Sequence, residues 1–146
     1  MAVAAAAVAA DQLSKSLAQS ALESRSIHIL GPLDLQLSYN PGVAFGLGQG
    51  LSPALVVAGV MVVVAAVAFT VSLRSRTTAV AAGLVAGGAL SNLGDRLFRG
   101  HRGAVIDWIH LSHWPTFNVA DSSIVVGVGL LVLTNLSAPR SSAERA

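Results

Sequence analysis

The stretch FNVADSSIVVGVGLLVLTNL, residues 117–136, decides how the chain reads. Residues 122–139 carry no charge, and from Ile124 onward the stretch is nearly all apolar. Such a run approaches the roughly 20 residues that cross a hydrocarbon core. Asp121 stands at its mouth, with Asn118 three residues earlier. A carboxylate beside hydrocarbon is costly, so this one needs a purpose.

The same pattern recurs along the chain. Residues 77–94 are uncharged, and 51–73 form another apolar run that ends at Arg74. The first segment is apolar through Ala10, and Asp11 and Lys15 follow before Leu17. A signal peptide places its basic residues ahead of the apolar run, so this segment reads as a retained first helix. The expectation is an integral membrane all-α protein with four transmembrane helices, near 2–22, 51–73, 77–94 and 119–137. They make a single membrane-embedded domain, 1–146.

Composition points the same way. The chain is 53% hydrophobic and 11% charged, with a mean hydropathy of +0.69; soluble domains carry about 25% charged residues. The net charge of +2 could suggest nucleic acid, but nine Lys and Arg lie scattered among apolar segments rather than on one polar face. The absence of cysteine removes disulfides, thiolate metal sites and cysteine nucleophiles.

Four spans place both termini on one side. Arg74, Arg76, Arg140 and Arg145 then mark that side as cytoplasmic. The extracytoplasmic segments, about 23–50 and 95–117, hold Arg25, Arg96, Arg99 and Arg102 against the rule, which asks for lipid phosphate or ion pairs as their reason. LDLQLSY, 33–39, alternates with period two, as a half-buried strand does. Asn40-Pro41-Gly42 breaks it. AVIDWI, 104–109, is the best partner, so a small sheet is expected on the outer membrane surface. GLVAG, 83–87, has the small-xxx-small spacing of closely packed helices.

Three acids lie near the outer ends of the spans: Asp95, Asp107 and Asp121. Asn92 and Asn118 each precede an Asp by three, which puts each pair on one helical face. Plain structural readings stand beside the functional ones. Asp121 with Ser122 and Ser123 would serve as an N-cap. Asp95 and Arg96 read as an ion pair, as do Asp11 and Lys15 at i,i+4. Asp107, between Ile106 and Trp108, has little structural excuse. His110 and His113 make a weak metal pair without a nearby helical Glu; His28 and His101 read as surface residues. The glycines at 46, 48 and 50 fit no nucleotide fingerprint, and Asn135-Leu136-Ser137 matches a glycosylation sequon by chance. No Ser-Lys or Ser-His couple suggests itself. Two carboxylates brought together can share a proton, one acting as base on water and the other as acid on a carbonyl oxygen.

Five blocks, DQLSK at 11–15, YNPGVAFG at 39–46, GGALSNLGDR at 87–96, VIDWI at 105–109 and FNVADS at 117–122, together resemble lipoprotein signal peptidase. This is the signal peptidase II family of bacterial inner-membrane aspartic proteases. The resemblance implies four transmembrane helices and a small extracytoplasmic sheet that cradles substrate. It implies removal of the signal peptide from a prolipoprotein, cleaved just before a diacylglyceryl-modified cysteine. It makes Asp107 and Asp121 the catalytic pair. Asn40, Asn92, Arg96 and Asn118 become the polar lining, supported by Asp95, with Gly42 and Gly88 in the same substrate-binding group. Asp11 and Lys15 become structural residues near the site. No cofactor, metal or nucleic acid is implied. The partners are the lipid-modified prolipoprotein and membrane lipid, and the enzyme acts as a monomer in the inner membrane, with its site at the extracytoplasmic face. Two departures stand out: Ser91 occupies a usual Gly position and costs a little room, and Trp108 replaces a usual Phe. The rival readings are a small four-helix carrier or channel subunit, with Asp11 as its intramembrane acid, and a non-catalytic scaffold. Neither needs Asp107 and Asp121 together.

Overall fold

The computed structural model describes residues 1–41 and 76–136. The expected span at 51–73, Arg74, Gly42, the glycines at 46–50 and the tail from Ser137 lie outside the described residues. The elements in chain order are α1 (Ala2–Leu22), β1 (Ile27–Leu30), β2 (Leu33–Asn40), α2 (Arg76–Phe98), β3 (Val105–Leu111), β4 (Trp114–Phe117) and α3 (Val119–Leu136).

The strands form one antiparallel sheet in the order β1-β2-β3-β4. The expected pairing of 33–39 with 104–109 is present, with Tyr39 opposite Ile106 and Ser38 opposite Asp107. The two outer strands go beyond the sequence reading. WPTF and IHIL are too short to show a period, and Pro115 argues for irregular backbone. Proline is tolerated here because β4 is an edge strand with one partner. The β1–β2 turn puts Gly31 at φ 54°, a left-handed conformation that costs glycine little.

The helices pack through small residues. A side chain at Gly83 would meet Val3, and one at Gly87 would lie 2.7 Å from the Ala4 carbonyl, so α2 touches α1 backbone to backbone. The small-xxx-small reading of 83–87 therefore marks a real helix contact. The next residue faces the other way: a Cβ at Gly88 would lie 2.5 Å from the Ala120 carbonyl at the start of α3. Gly127 of α3 sits equally close to Ala81 and Val85.

The helix expected at 77–94 runs from Arg76 to Phe98, because its polar end is fastened to its neighbours rather than frayed into solvent. Among the described residues no helix is long and apolar enough to cross a membrane. The reason lies in the residues that serve the interior. α1 carries Asp11 and Lys15 in mid-helix, and α2 carries Ser91, Asn92, Asp95 and Arg96. α3, at 18 residues, is roughly 27 Å long at 1.5 Å per residue.

Candidate active site

The α3 N-terminus organises the site. Its first helical residue is Val119, so Asn118 is the N-cap and Asp121 the third helical position. The Asn118 Oδ1 accepts from the Asp121 amide at 2.9 Å, and the Asp121 Oδ2 accepts from the Asn118 amide at 3.3 Å. This is a reciprocal capping box built from Asn and Asp. The expectation that Asp121 itself caps the helix is thus corrected by one turn. Ser122 and Ser123 take no part in the cap; their hydroxyls donate back to the carbonyls of Asn118 and Val119.

The same Asn118 joins the second acid. Its Nδ2 donates to the Asp107 Oδ1 at 2.6 Å and lies 3.2 Å from the Ile106 carbonyl. Asn40, at the end of β2, donates to the Asp107 Oδ2 at 3.1 Å. Asn92, on α2, donates to the Asp121 Oδ1 at 2.9 Å. Each oxygen of the two carboxylates therefore meets an amide N–H. Asp107 is 2% exposed and Asp121 6%. Burial first, and then the charge of Asp121, push Asp107 up to about 7, against the opposing pull of the Asn40 and Asn118 amides and of Lys15.

A second buried cluster lies behind the first. The Lys15 Nζ is 2.7 Å from the Asp11 Oδ2, 2.7 Å from the Asp95 Oδ2 and 2.8 Å from the Asn92 Oδ1. The expected Asp11–Lys15 pair is present and fully buried. The expected Asp95–Arg96 pair is not what forms. Asp95 pairs with Lys15 and, at 3.3 Å, with Arg99; Arg96 donates to the Gly103 carbonyl at 2.7 Å. Adjacent residues on a helix point about 100° apart, so i,i+4 prevails over i,i+1. The Asp11 Oδ1 also accepts from the Ala120 amide at 2.8 Å, capping α3 from another helix. The Asp95 Oδ2 accepts from the Ile106 amide at 3.1 Å, anchoring β3 beside Asp107.

Ser91 corrects a further expectation. Its hydroxyl donates to the Asp11 Oδ2 at 2.8 Å and accepts from the Gln12 amide at 3.0 Å, so it adds a bond rather than taking room. Gln12 belongs to this network although the sequence reading does not single it out, and Arg99, one of the outer basic residues that ask for an ion pair, finds it in Asp95. Gln12 donates to the Asp95 Oδ1, and Arg99 holds both Gln12 and Gln19. The i,i+4 spacing of Asp95 and Arg99 is the available signal. Trp108 Nε1 is buried and finds no hydrogen-bond partner among the described residues. His110 lies 3.2 Å from the Thr116 hydroxyl, and His28 pairs with Asp34 at the surface. Among the described residues no group of three or more His, Asp or Glu could hold a metal ion.

Two grooves reach the acids. An apolar one of about 280 Å³, lined by Trp114, Phe117, Val125 and Val126, opens on Asp121. A more polar one of about 210 Å³, lined by Ser38, Tyr39, Asn40 and Thr116, opens on Asp107.

Comparison with known families decides the identity. The family described as signal peptidase (SPase) II matches residues 3–137. This chain belongs to that family. Proteins named lipoprotein signal peptidase are 42% identical to it in Rhodococcus jostii, covering 88% of this chain and 68% of the relative. The one in Syntrophomonas wolfei is 46% identical over 81% of this chain and 78% of its own. The one in Aquifex aeolicus is 39% identical, over 84% and 77%. Two solved structures described as a bacterial membrane enzyme share the fold. One has a TM-score of 0.82 at 24% identity, covering 99% of this chain and 91% of its own. The other has 0.79 at 26%, covering 92% and 90%. The chain is thus a protease, and its function is removal of the signal peptide from prolipoproteins. The carrier reading finds no support.

Proposed function

We propose that this signal peptidase is of the aspartic type, with Asp107 and Asp121 as its catalytic pair. The observation that carries the reading is Asn118, whose side chain and backbone bond both buried carboxyl groups at once. Two acids so placed resist double ionisation, and the active form is the singly protonated pair. Asp121, at a helix N-terminus with two amide donors, is the carboxylate and takes a proton from water. Asp107, which titrates near 7, holds the proton and gives it to the scissile carbonyl oxygen as the hydroxyl attacks the carbonyl carbon. Collapse of the tetrahedral intermediate breaks the C–N bond and returns a proton to the leaving amine.

The two grooves suit a substrate that is apolar on one side and peptide on the other. In this reading the lipid of the diacylglyceryl-modified cysteine and the signal helix lie along the apolar side, and the extended backbone lies against β2. Asn40, Gly42, Gly88, Asn92, Arg96 and Asn118 line or support the site; Asp95, Asp11 and Lys15 hold it from behind. The single domain, 1–146, spans the inner membrane four times, at about 2–22, 51–73, 77–94 and 119–137. Both termini and the 74–76 turn are cytoplasmic, and the site faces outward at the level where hydrocarbon meets water. The enzyme acts as a monomer. A cysteine at position 75 that reacts with an impermeant reagent from outside would overturn this topology.

The test of the mechanism is gel-shift cleavage of a lipid-modified prolipoprotein by purified protein. Asp107→Asn and Asp121→Asn should give no detectable product, and EDTA should leave the parent unchanged. Substantial processing by Asp107→Asn, or loss in EDTA with recovery on zinc, would contradict it.

A further inference from the structure

Lys15 is the one described lysine, it is fully buried, and the proposed chemistry does not use it. A lysine ammonium has three donors and no acceptor. Here all three donors are taken, by the Asp11 Oδ2, the Asp95 Oδ2 and the Asn92 Oδ1, at 2.7–2.8 Å. The third contact is the informative one. An asparagine amide can face either way, with its oxygen and NH2 nearly equal in shape. Against an ammonium ion only the oxygen is accepted; the same oxygen also accepts from the Asn118 Nδ2, but at the longer 3.2 Å, so the charged 2.8 Å contact from Lys15 is the stronger hold. The Asn92 NH2 is then turned onto the Asp121 Oδ1, at 2.9 Å. The flipped amide would set two donors against each other at Lys15 and an oxygen against the Asp121 carboxylate. Asn118 needs no such help, because its oxygen is fixed by the Asp121 backbone amide.

We infer that Lys15 is a positioning residue for the proposed dyad, acting through Asn92: its ammonium fixes the Asn92 amide so that its NH2 holds Asp121 in place for reaction. The inference rests on the aspartic reading above. The same ammonium also balances Asp11 and Asp95, which tie down the α3 N-terminus and β3, the two elements that carry the pair. A purely structural lysine would need only these two acids. The contact to Asn92 is what reaches the chemistry.

The experiment is steady-state cleavage of lipid-modified prolipoprotein, with turnover expressed per folded molecule and compared with melting temperature. Lys15→Arg keeps a cation without acceptors and should retain turnover to within about fivefold. Lys15→Gln offers an oxygen as well as an NH2, so Asn92 keeps only the longer 3.2 Å contact from the Asn118 Nδ2 to orient it; kcat should fall by about tenfold or more with KM within about threefold. Burial of two acids can prevent Lys15→Gln from folding. The charge-balanced Asp11→Asn/Lys15→Met variant covers that case and should show the same loss of kcat. In it Asp95 keeps Arg99, and the amide introduced at position 11 keeps an oxygen for the Ala120 N–H. Asn92→Ala should itself lose about tenfold, and Lys15→Gln on that background should lower kcat less than twofold further while still lowering the melting temperature. Turnover by Lys15→Gln within twofold of the parent, an equal Lys15 effect with and without Asn92, or Asn92→Ala retaining half the parent's kcat would each overturn the inference. Asp107→Asn and Asp121→Asn, run in parallel, separate the two ideas: if they are inactive and Lys15→Gln is normal, the dyad stands and the lysine's role falls.

Discussion

Two pairs of buried aspartates lie back to back in this protein, and they are held in opposite ways. Asp11 and Asp95 are bridged by Lys15 at 2.7 Å on each side. Asp107 and Asp121 are bridged by the amides of Asn118, with Asn40 and Asn92 on the outer oxygens. A cation between two carboxylates offsets their charge and their desolvation. Amides satisfy the oxygens without supplying a full charge, so the repulsion remains and a proton becomes the means of relieving it. The first pair therefore ties helices and strand together. The second, close to two grooves, is the pair proposed to carry the chemistry.

The largest effect expected from this contrast is in activity. Asp107→Asn and Asp121→Asn should each lower kcat by about a thousandfold or more without unfolding the protein. The double variant should be scarcely worse than either single, since residues acting as a unit are not additive. Additive losses would break the pair into two independent residues.

Stability should respond the other way. Asp95→Asn or Asp11→Asn removes one partner of a buried ion pair, which costs about 3–5 kcal/mol. Thermal melting should show a large loss of folded protein, with turnover per folded molecule lowered by less than tenfold. Normal melting with no turnover in Asp11→Asn would move that residue into the catalytic group.

A smaller effect tests the packing that brings the pairs together. Gly88→Ala would drive a methyl toward the Ala120 carbonyl; forced repacking of this kind costs about 1–3 kcal/mol. Denaturant melting should show it, and Gly129→Ala, where nothing lies within 4 Å, should not.

The last effect is in pH. Asp107 is raised from its ordinary 3.8 to about 7 in the fold, so the folded state holds its proton more tightly than the unfolded chain does. Its contribution to stability is fully present below about pH 4 and is lost as pH rises through about 7. Asp107→Asn should melt higher than the parent at pH 8, with the gap narrower at pH 5. Equal melting at both values would show that Asp107 is not strained by its neighbour or its burial.

Much of this is legible in the sequence, for physical reasons. The period-two run at 33–39 and the apolar AVIDWI find each other because one face of each must be buried. Asn118 and Asp121 are visible as an i,i+3 pair, and Asp11 and Lys15 as i,i+4. What stays hidden depends on tertiary contact. That Asp11 caps α3 across 109 residues of chain, or that Asp95 prefers Lys15 and Arg99 to its neighbour Arg96, follows from how α1 and α2 meet at Gly83 and Gly87. The short edge strands carry too few residues for a pattern. Ser91 is misread when its size is weighed and its hydroxyl is not.

The central claim is that the amide-held pair shares a proton near neutrality. Infrared difference titration of the carboxyl groups tests it most directly. The expected result is one protonated aspartic acid band that disappears with a midpoint of about 7, is absent in Asp107→Asn and persists in Asp95→Asn. No such band between pH 4 and pH 6, or a band that survives Asp107→Asn and vanishes in Asp95→Asn, would contradict it.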